Sequence, residues 1–230
     1  MNIGENVRRI REAIDAAALR AGAKGGIRLV AATKTHPPEI IQEAIRAGIR
    51  DCGENRVQEM LRKIPLGAYE GARLHFIGHL QSNKVKYVVG AVSLIQSVDS
   101  KELVSLIGAR AKKLGIVQDI LIEVNIGGET SKSGVGPDKV EELLDICAAE
   151  SGVFVRGLMT IPPIATEING NRRYFDQMYK LFVDMGMKKY DNIKMEILSM
   201  GMSADYEEAI LAGANMLRIG SAIFGPRLVI

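Results

Sequence analysis

The sequence predicts a (β/α)8 barrel of the TIM type with one additional helix at its N-terminus. Short β-rich runs alternate with longer segments of helical period along the chain, in eight steps. Several runs, such as LVAAT at 29–33, ILIEVN at 120–125 and MLRIG at 216–220, are apolar almost throughout, as parallel strands buried on both faces are. An open doubly wound sheet is the competing arrangement. It is disfavoured because no G-x-G-x-x-G follows the first run and because eight strands suit closure.

The chain opens on MNIGENVRRIREAIDAAALRAG, which lacks the apolar stretch of a signal peptide and has the pattern of an amphipathic helix. Strands are expected at 28–33, 50–53, 74–78, 92–96, 119–125, 153–160, 195–200 and 216–220. Helix 37–47 starts on a Pro-Pro pair and stops at Gly48, with proline favoured in the first turn and glycine just past the last. Helix 101–114 stops at Gly115, and helix 138–149 follows a Gly-Pro start. Helix 174–185 stops at Gly186, and helix 203–212 takes Ser203 as N-cap and stops at Gly213. The Gly-rich pieces at 127–128, 131–136 and Gly201 are short and fall in strand-to-helix loops, so residues 1–230 form a single domain.

Composition narrows the function classes. The 230 residues are 47% hydrophobic, enough apolar material for one large core. Thirty basic against 27 acidic residues leave a formal charge of +3, too weak and dispersed to track a phosphate backbone. There is no Trp and only 5% aromatic residues, so no base-stacking platform forms, and nucleic acid is not an expected partner. No apolar run is long enough to cross a bilayer. Cys52 and Cys147 stand far apart with no second Cys near either, and cytoplasmic, reduced thiols are the expectation. His75 and His79 lack an acidic or Cys partner to complete a zinc set, so no metal is expected. Neither a G-x-S-x-G elbow nor a P-loop occurs.

In a barrel the chemistry collects at the C-terminal ends of the strands. Those ends carry hydroxyls, amides, glycines and cations, and few carboxylates. Lys34 ends the first, apolar strand; burial there disfavours an ammonium and leaves more of the free amine that attacks an aldehyde. At the other end of the chain, SMGMS (199–203) leaves the seventh strand and RIGSA (218–222) the eighth. Barrels often hold phosphate at these two loops, and Ser199, Ser203, Gly220 and Ser221 are candidates for such a cradle. Ser203 is equally explained as an N-cap, and the glycines as turn formers. Arg218 shares a strand face with Gly220, and if that face points inward the guanidinium needs an acceptor, whether a carboxylate or a ligand. Asn55 and Asn83 follow the second and third strands, where each either caps a helix or hydrogen-bonds a ligand.

Seven ordered blocks resemble the YggS/PROSC family of pyridoxal phosphate homeostasis proteins along essentially the whole length. They are LVAATKTHP (29–37), CGENRVQE (52–59), LHFIGHLQSNK (74–84), VNIGGETSKSG (124–134), RGLMTIPP (156–163), LSMGMSADYEEAI (198–210) and RIGSAIFGPR (218–227). The resemblance implies a barrel similar to the N-terminal domain of alanine racemase, with pyridoxal 5'-phosphate as cofactor. It implies Lys34 as the Schiff-base lysine. Ser199, Gly220 and Ser221 would hold the phosphate with Ser203 and Met200 nearby, Arg218 would face the pyridine nitrogen, and Asn55 would line the ring. Ser221 stands where many relatives have Thr and keeps the hydroxyl; His79 stands where some have Pro and takes no role.

The family resemblance implies a non-catalytic monomer that carries or buffers the cofactor in intracellular vitamin B6 and amino-acid homeostasis, with apo-enzymes that use it as partners. The alternatives are a pyridoxal phosphate-dependent amino-acid racemase and a regulatory scaffold. Racemisation needs a base on each face of the cofactor. Lys34 serves one; the domain that supplies the other in alanine racemase has no counterpart expected here, which leaves Tyr69, Tyr87 or a second copy of the chain as candidates.

Overall fold

Parallel strands need both faces covered and both edges paired, and closing the sheet on itself meets the second need. The computed structural model describes residues 2–23, 25–164 and 170–225. Its eight strands form a closed barrel in chain order. They are β1 (Arg28–Ala32), β2 (Asp51–Glu54), β3 (Arg73–Phe76), β4 (Leu94–Val98), β5 (Gln118–Glu123), β6 (Val153–Met159), β7 (Ile193–Ser199) and β8 (Met216–Ile219). The β1–β8 seam closes in parallel register, with Val30 opposite Arg218.

The helices are α1 (Ile3–Ala21), α2 (Pro38–Arg46), α3 (Val57–Lys63), α4 (Val85–Val88), α5 (Lys101–Leu114), α6 (Val140–Ala148), α7 (Arg172–Gly186), α8 (Tyr206–Leu211) and α9 (Ser221–Phe224). The N-terminal helix is present as expected. Asn2 caps α1 by accepting the Glu5 N–H, and Gly22 ends it in the left-handed region. It lies against α2, α8 and α9, across the seam where the barrel closes. No helix among the described residues is long and apolar enough to cross a membrane. The last two residues of the RIGSAIFGPR block lie outside the described residues.

Most expected boundaries move by one to three residues, and three of the shifts have a clear local reason. Helix α8 starts at Tyr206 rather than Ser203, because Asp205 is the N-cap and its carboxylate takes the Met202 N–H at 2.7 Å. Helix α7 runs through Gly186, which does not adopt the positive φ that lets Gly48, Gly115 and Gly213 stop a helix. The fourth strand begins at Leu94, since the residues before it turn through Gly90 at φ +83.

The core has two layers. The larger packs the outward faces of the strands against the helices. The smaller, inside the barrel, consists of Val30, Leu94, Leu121, Met159, Ile197 and Met216. Polar side chains share that interior: His75, Gln96, Ser199 and Arg218 are all buried. Cys52 and Cys147 are free buried thiols, which burial pushes up to about 12.

Gly157 sits where the β6–β7 register shifts, at φ +148, and a Cβ there would lie 1.9 Å from the Ile197 carbonyl oxygen. Gly157→Ala is therefore expected to lower stability by about 1–3 kcal/mol. Urea unfolding measures it, and an unchanged midpoint would refute the close approach.

Candidate functional site

The chain leaves β1 at Thr33 and turns at Lys34 and Thr35, and a buried ionic cluster from β2 and α3 holds that turn on both sides. The Thr33 hydroxyl donates to Glu54 Oε1 at 2.7 Å, and Lys63 Nζ donates to the Thr33 carbonyl at 2.9 Å. Lys63 also bridges Glu54 at 2.8 Å and Glu59 at 2.6 Å. Glu59 in turn accepts the Thr35 N–H at 2.5 Å. Thr35 is the one non-glycine with positive φ among the described residues, at +66. The contacts on residues 33 and 35 offset the cost of that conformation and set where Lys34 leaves the strand.

Lys34 is half-buried and lines a cavity of ≈ 280 Å³ at the C-terminal mouth, together with His36, Ser203, Arg218, Gly220 and Ser221. The closed seam accounts for this: β1 and β8 are neighbours, so residues near the two ends of the chain share one wall. Ser203 is not a helix cap. Its hydroxyl oxygen accepts the backbone N–H of Gly220 at 3.3 Å and of Ala222 at 3.4 Å. Two main-chain donors thus converge on one oxygen position beside Ser221, where α9 begins.

Arg218 enters the cavity from beneath. Its Nη1 donates to Ser199 Oγ at 2.6 Å and its Nη2 to the Thr160 carbonyl at 2.9 Å. Burial lowers the guanidinium to about 10, against the pull of Glu123 and Asp205, so it stays charged at neutral pH. Glu123 moves the other way: burial and the nearby Asp99 push it up to about 7, with Arg218 opposing. Burial and the Lys63 charge hold His36 below the usual imidazole range, and its ring stacks on Phe224 at 4.5 Å.

The structure gathers Lys34, Ser203, Arg218, Gly220 and Ser221 at the cavity, but not all of the expected set. Ser199 is fully buried below it, and its hydroxyl donates to Gln96 Oε1 at 2.7 Å and accepts from Arg218. The Met200 side chain belongs to the outer core, and Met202 lines the cavity instead. Both follow from strand alternation: residues 199 and 200 at the end of β7 point to opposite faces. Asn55 is not a lining residue, yet its Oδ1 is buried without a hydrogen-bond partner among the described residues. Gly78 backs it closely, since a Cβ there would fall 2.2 Å from the Asn55 carbonyl oxygen.

Neither tyrosine offered as an opposite base reaches the cavity. Tyr69 is buried with its hydroxyl donated to Glu54 at 2.9 Å, and burial together with that carboxylate pushes it far above the usual range. Tyr87 is exposed on α4. Sequence reasoning missed the Glu54, Glu59 and Lys63 cluster, although an i, i+4 Glu59–Lys63 pair was visible, and it missed Gln96. Among the described residues no group of three metal-ligating side chains is assembled.

Residues 2–227 match the family model described as alanine racemase, N-terminal domain, so the class is that of the alanine-racemase-type barrels. Within it, the chain belongs to the YggS/PROSC family: it is 45% identical over 228 residues to the pyridoxal phosphate homeostasis protein of Aquifex aeolicus, covering 99% of each. PipY of Synechococcus elongatus, solved with PLP bound, superposes with a TM-score of 0.82 at 31% identity, over 97% of this chain and 100% of that one. An alanine racemase of Clostridium difficile shares the fold alone, at 16% identity and a TM-score of 0.71, and this chain spans 57% of it.

Glu123 sets a pH dependence. Folding holds its proton up to about 7 against an ordinary value of 4.5. In that window the folded state binds the extra proton, so the group's contribution is complete below the ordinary value and lost as pH rises through the raised one. Stability is expected to fall over that range by at most about 3 kcal/mol from this group. Glu123→Gln should flatten that part of the profile in urea titrations, and equal slopes in the two proteins would refute the assignment.

Proposed function

We propose that this protein holds pyridoxal 5'-phosphate at the C-terminal mouth of the barrel and carries or buffers it in cytoplasmic vitamin B6 and amino-acid homeostasis, without catalytic turnover. The observation that carries the reading is the convergence of the Gly220 and Ala222 N–H groups on one oxygen position, across a cavity that Lys34 also lines. An anionic oxygen of a phosphate suits that position better than a neutral hydroxyl, because hydrogen bonds to a charged acceptor are roughly twice as strong. Membership of a family whose relatives are named pyridoxal phosphate homeostasis proteins supports the same reading.

The residues fit the group. Ser203, Gly220 and Ser221 would bind the phosphate and Lys34 would offer an amine to the aldehyde, and all four line the one cavity. Arg218 donates and cannot accept, so at the pyridine nitrogen it would hold its own proton rather than leave one on the ring. Asn55, whose Oδ1 is a buried acceptor without a hydrogen-bond partner among the described residues, would face the ring. Ser199 would act from beneath by orienting Arg218, to which it is hydrogen-bonded, while Met200 is buried in the outer core. The cofactor itself supplies a carbonyl that condenses reversibly with amines. Lys34 would hold the cofactor by that condensation and, its own amine being the leaving group, would release it to an acceptor amine such as that of an apo-enzyme.

Incubation with pyridoxal phosphate followed by borohydride is expected to leave a reduced adduct on the Lys34 peptide, read by mass spectrometry, and Lys34→Ala to lose it. A reducible adduct on another lysine alone would overturn the assignment. Pyridoxal without its phosphate should bind at least about tenfold more weakly, through loss of several charge-assisted hydrogen bonds. Equal affinities would remove the cradle. Exchange of the L-alanine α-proton in deuterated water should stay well below an enzymic rate of about 1 s⁻¹; turnover at that rate would establish a racemase.

A further inference from the structure

A continuous file of hydrogen bonds runs along the barrel interior from Arg218 to the opposite mouth. Arg218 Nη1 donates to Ser199 Oγ at 2.6 Å, and Ser199 Oγ donates to Gln96 Oε1 at 2.7 Å. Gln96 Nε2 meets His75 Nδ1 at 3.0 Å, and His75 Nε2 meets Asp51 Oδ1 at 3.1 Å. Asp51 is then held by Arg73, whose Nε and Nη2 reach its two oxygens at 2.7 and 2.9 Å. Arg73 is half-exposed and, with His75, lines a second cavity of ≈ 590 Å³ at the N-terminal mouth.

The sense of every bond in the file follows from its two ends. Arg218 can only donate and a carboxylate can only accept. Ser199 therefore accepts from Arg218 and must give its own proton to Gln96 Oε1. That turns the Gln96 amide nitrogen toward His75, so Nδ1 accepts and the imidazole proton lies on Nε2, facing Asp51. Burial pushes the Asp51 carboxyl up, but the hydrogen bonds from His75 and Arg73 and the Arg73 charge outweigh it and hold it below the usual range. Reversing the Gln96 amide would set two donors against Ser199 Oγ and leave His75 Nδ1 facing an oxygen.

Asp51, His75, Gln96, Ser199 and Arg218 are each less than a tenth exposed, amid the apolar side chains of Leu94, Leu121, Ile197 and Met216. Apolar residues of similar size would fill that space at no cost in stability, since buried polar groups repay their desolvation only when every one is paired. What the file delivers is one orientation of a guanidinium at the cavity.

We propose that Gln96 and His75 are positioning residues of the cofactor site: through Ser199 they fix the Arg218 guanidinium, and they tie it to Asp51 and Arg73 at the far mouth of the barrel. The proposal rests on the reading of the C-terminal mouth as a pyridoxal phosphate site. It adds that the electronic environment of the bound cofactor depends on residues that never touch it.

The test uses Gln96→Met, which keeps the length of the side chain and removes both links, and Asp51→Asn, which alters only the far end. Each purified protein is loaded with pyridoxal phosphate and its visible absorption spectrum, dissociation constant and borohydride adduct on Lys34 are recorded. Gln96→Met should keep the adduct, shift the absorption maximum, and bind the cofactor about two- to tenfold more weakly, the loss of one net buried hydrogen bond. Gln96→His, which restores one donor and one acceptor, should move both values back toward the wild type. An unchanged spectrum and affinity in folded, fully loaded Gln96→Met would overturn the proposal. Should that variant not fold, Asp51→Asn carries the same decision: a shifted spectrum supports the file and an unshifted one overturns it. Failure of the wild-type protein to form any adduct would instead refute the cofactor reading on which the proposal rests.

Discussion

Polar side chains inside a closed eight-stranded barrel are out of reach of water, and the requirement that each find a protein partner governs where the functional groups stand. Arg218 is the case on which the rest depends. A buried guanidinium needs acceptors for its donors, and the chain gives it the Ser199 hydroxyl and the Thr160 carbonyl. Once Ser199 is committed, its proton needs Gln96, and Gln96 needs His75. The interior is thus ordered from the mouth downward by donor and acceptor counts as much as by apolar packing.

The same rule organises the turn that bears Lys34. Glu54 ends β2 inside the protein, and its Oε1 alone receives Thr33, Lys63 and Tyr69. These bonds engage the main chain on one side of Lys34, and Glu59 engages it on the other. Tyr69 illustrates how burial decides between roles. A phenol offered as a base for a racemase mechanism is occupied as a structural donor and kept protonated.

The two mouths differ in kind. At the N-terminal mouth Arg73 is matched by Asp51, and Arg156 by Asp119 and Glu196, so these positive charges are met within the protein. At the C-terminal mouth main-chain N–H groups converge, and among the described residues no carboxylate lines the cavity. An anion therefore meets converging main-chain donors at one end, and at the other meets Arg73 and Arg156 already paired with carboxylates. Strand-to-helix turns present main-chain N–H groups at this end of the barrel, which is why the donors gather there.

The sequence by itself determined the closed barrel, the N-terminal helix, the helix stops at Gly48, Gly115 and Gly213, and Lys34 and Arg218 as residues of the mouth. These are periodic or local properties: alternation, capping chemistry, and the position of a charged residue at the end of an apolar run. It also carried the family resemblance, because ordered blocks are a property of the chain alone. Only the tertiary structure decided that Ser203 meets Gly220 and Ala222 rather than capping a helix, that Ser199 serves Arg218 from below, and that Met202 replaces Met200 at the cavity. It alone joined Gln96 to Ser199, 103 positions further along the chain. The physical reason is that closure sets neighbours across the seam and across the barrel axis by register, and a hydrogen bond formed there leaves no trace in the spacing of residues along the chain.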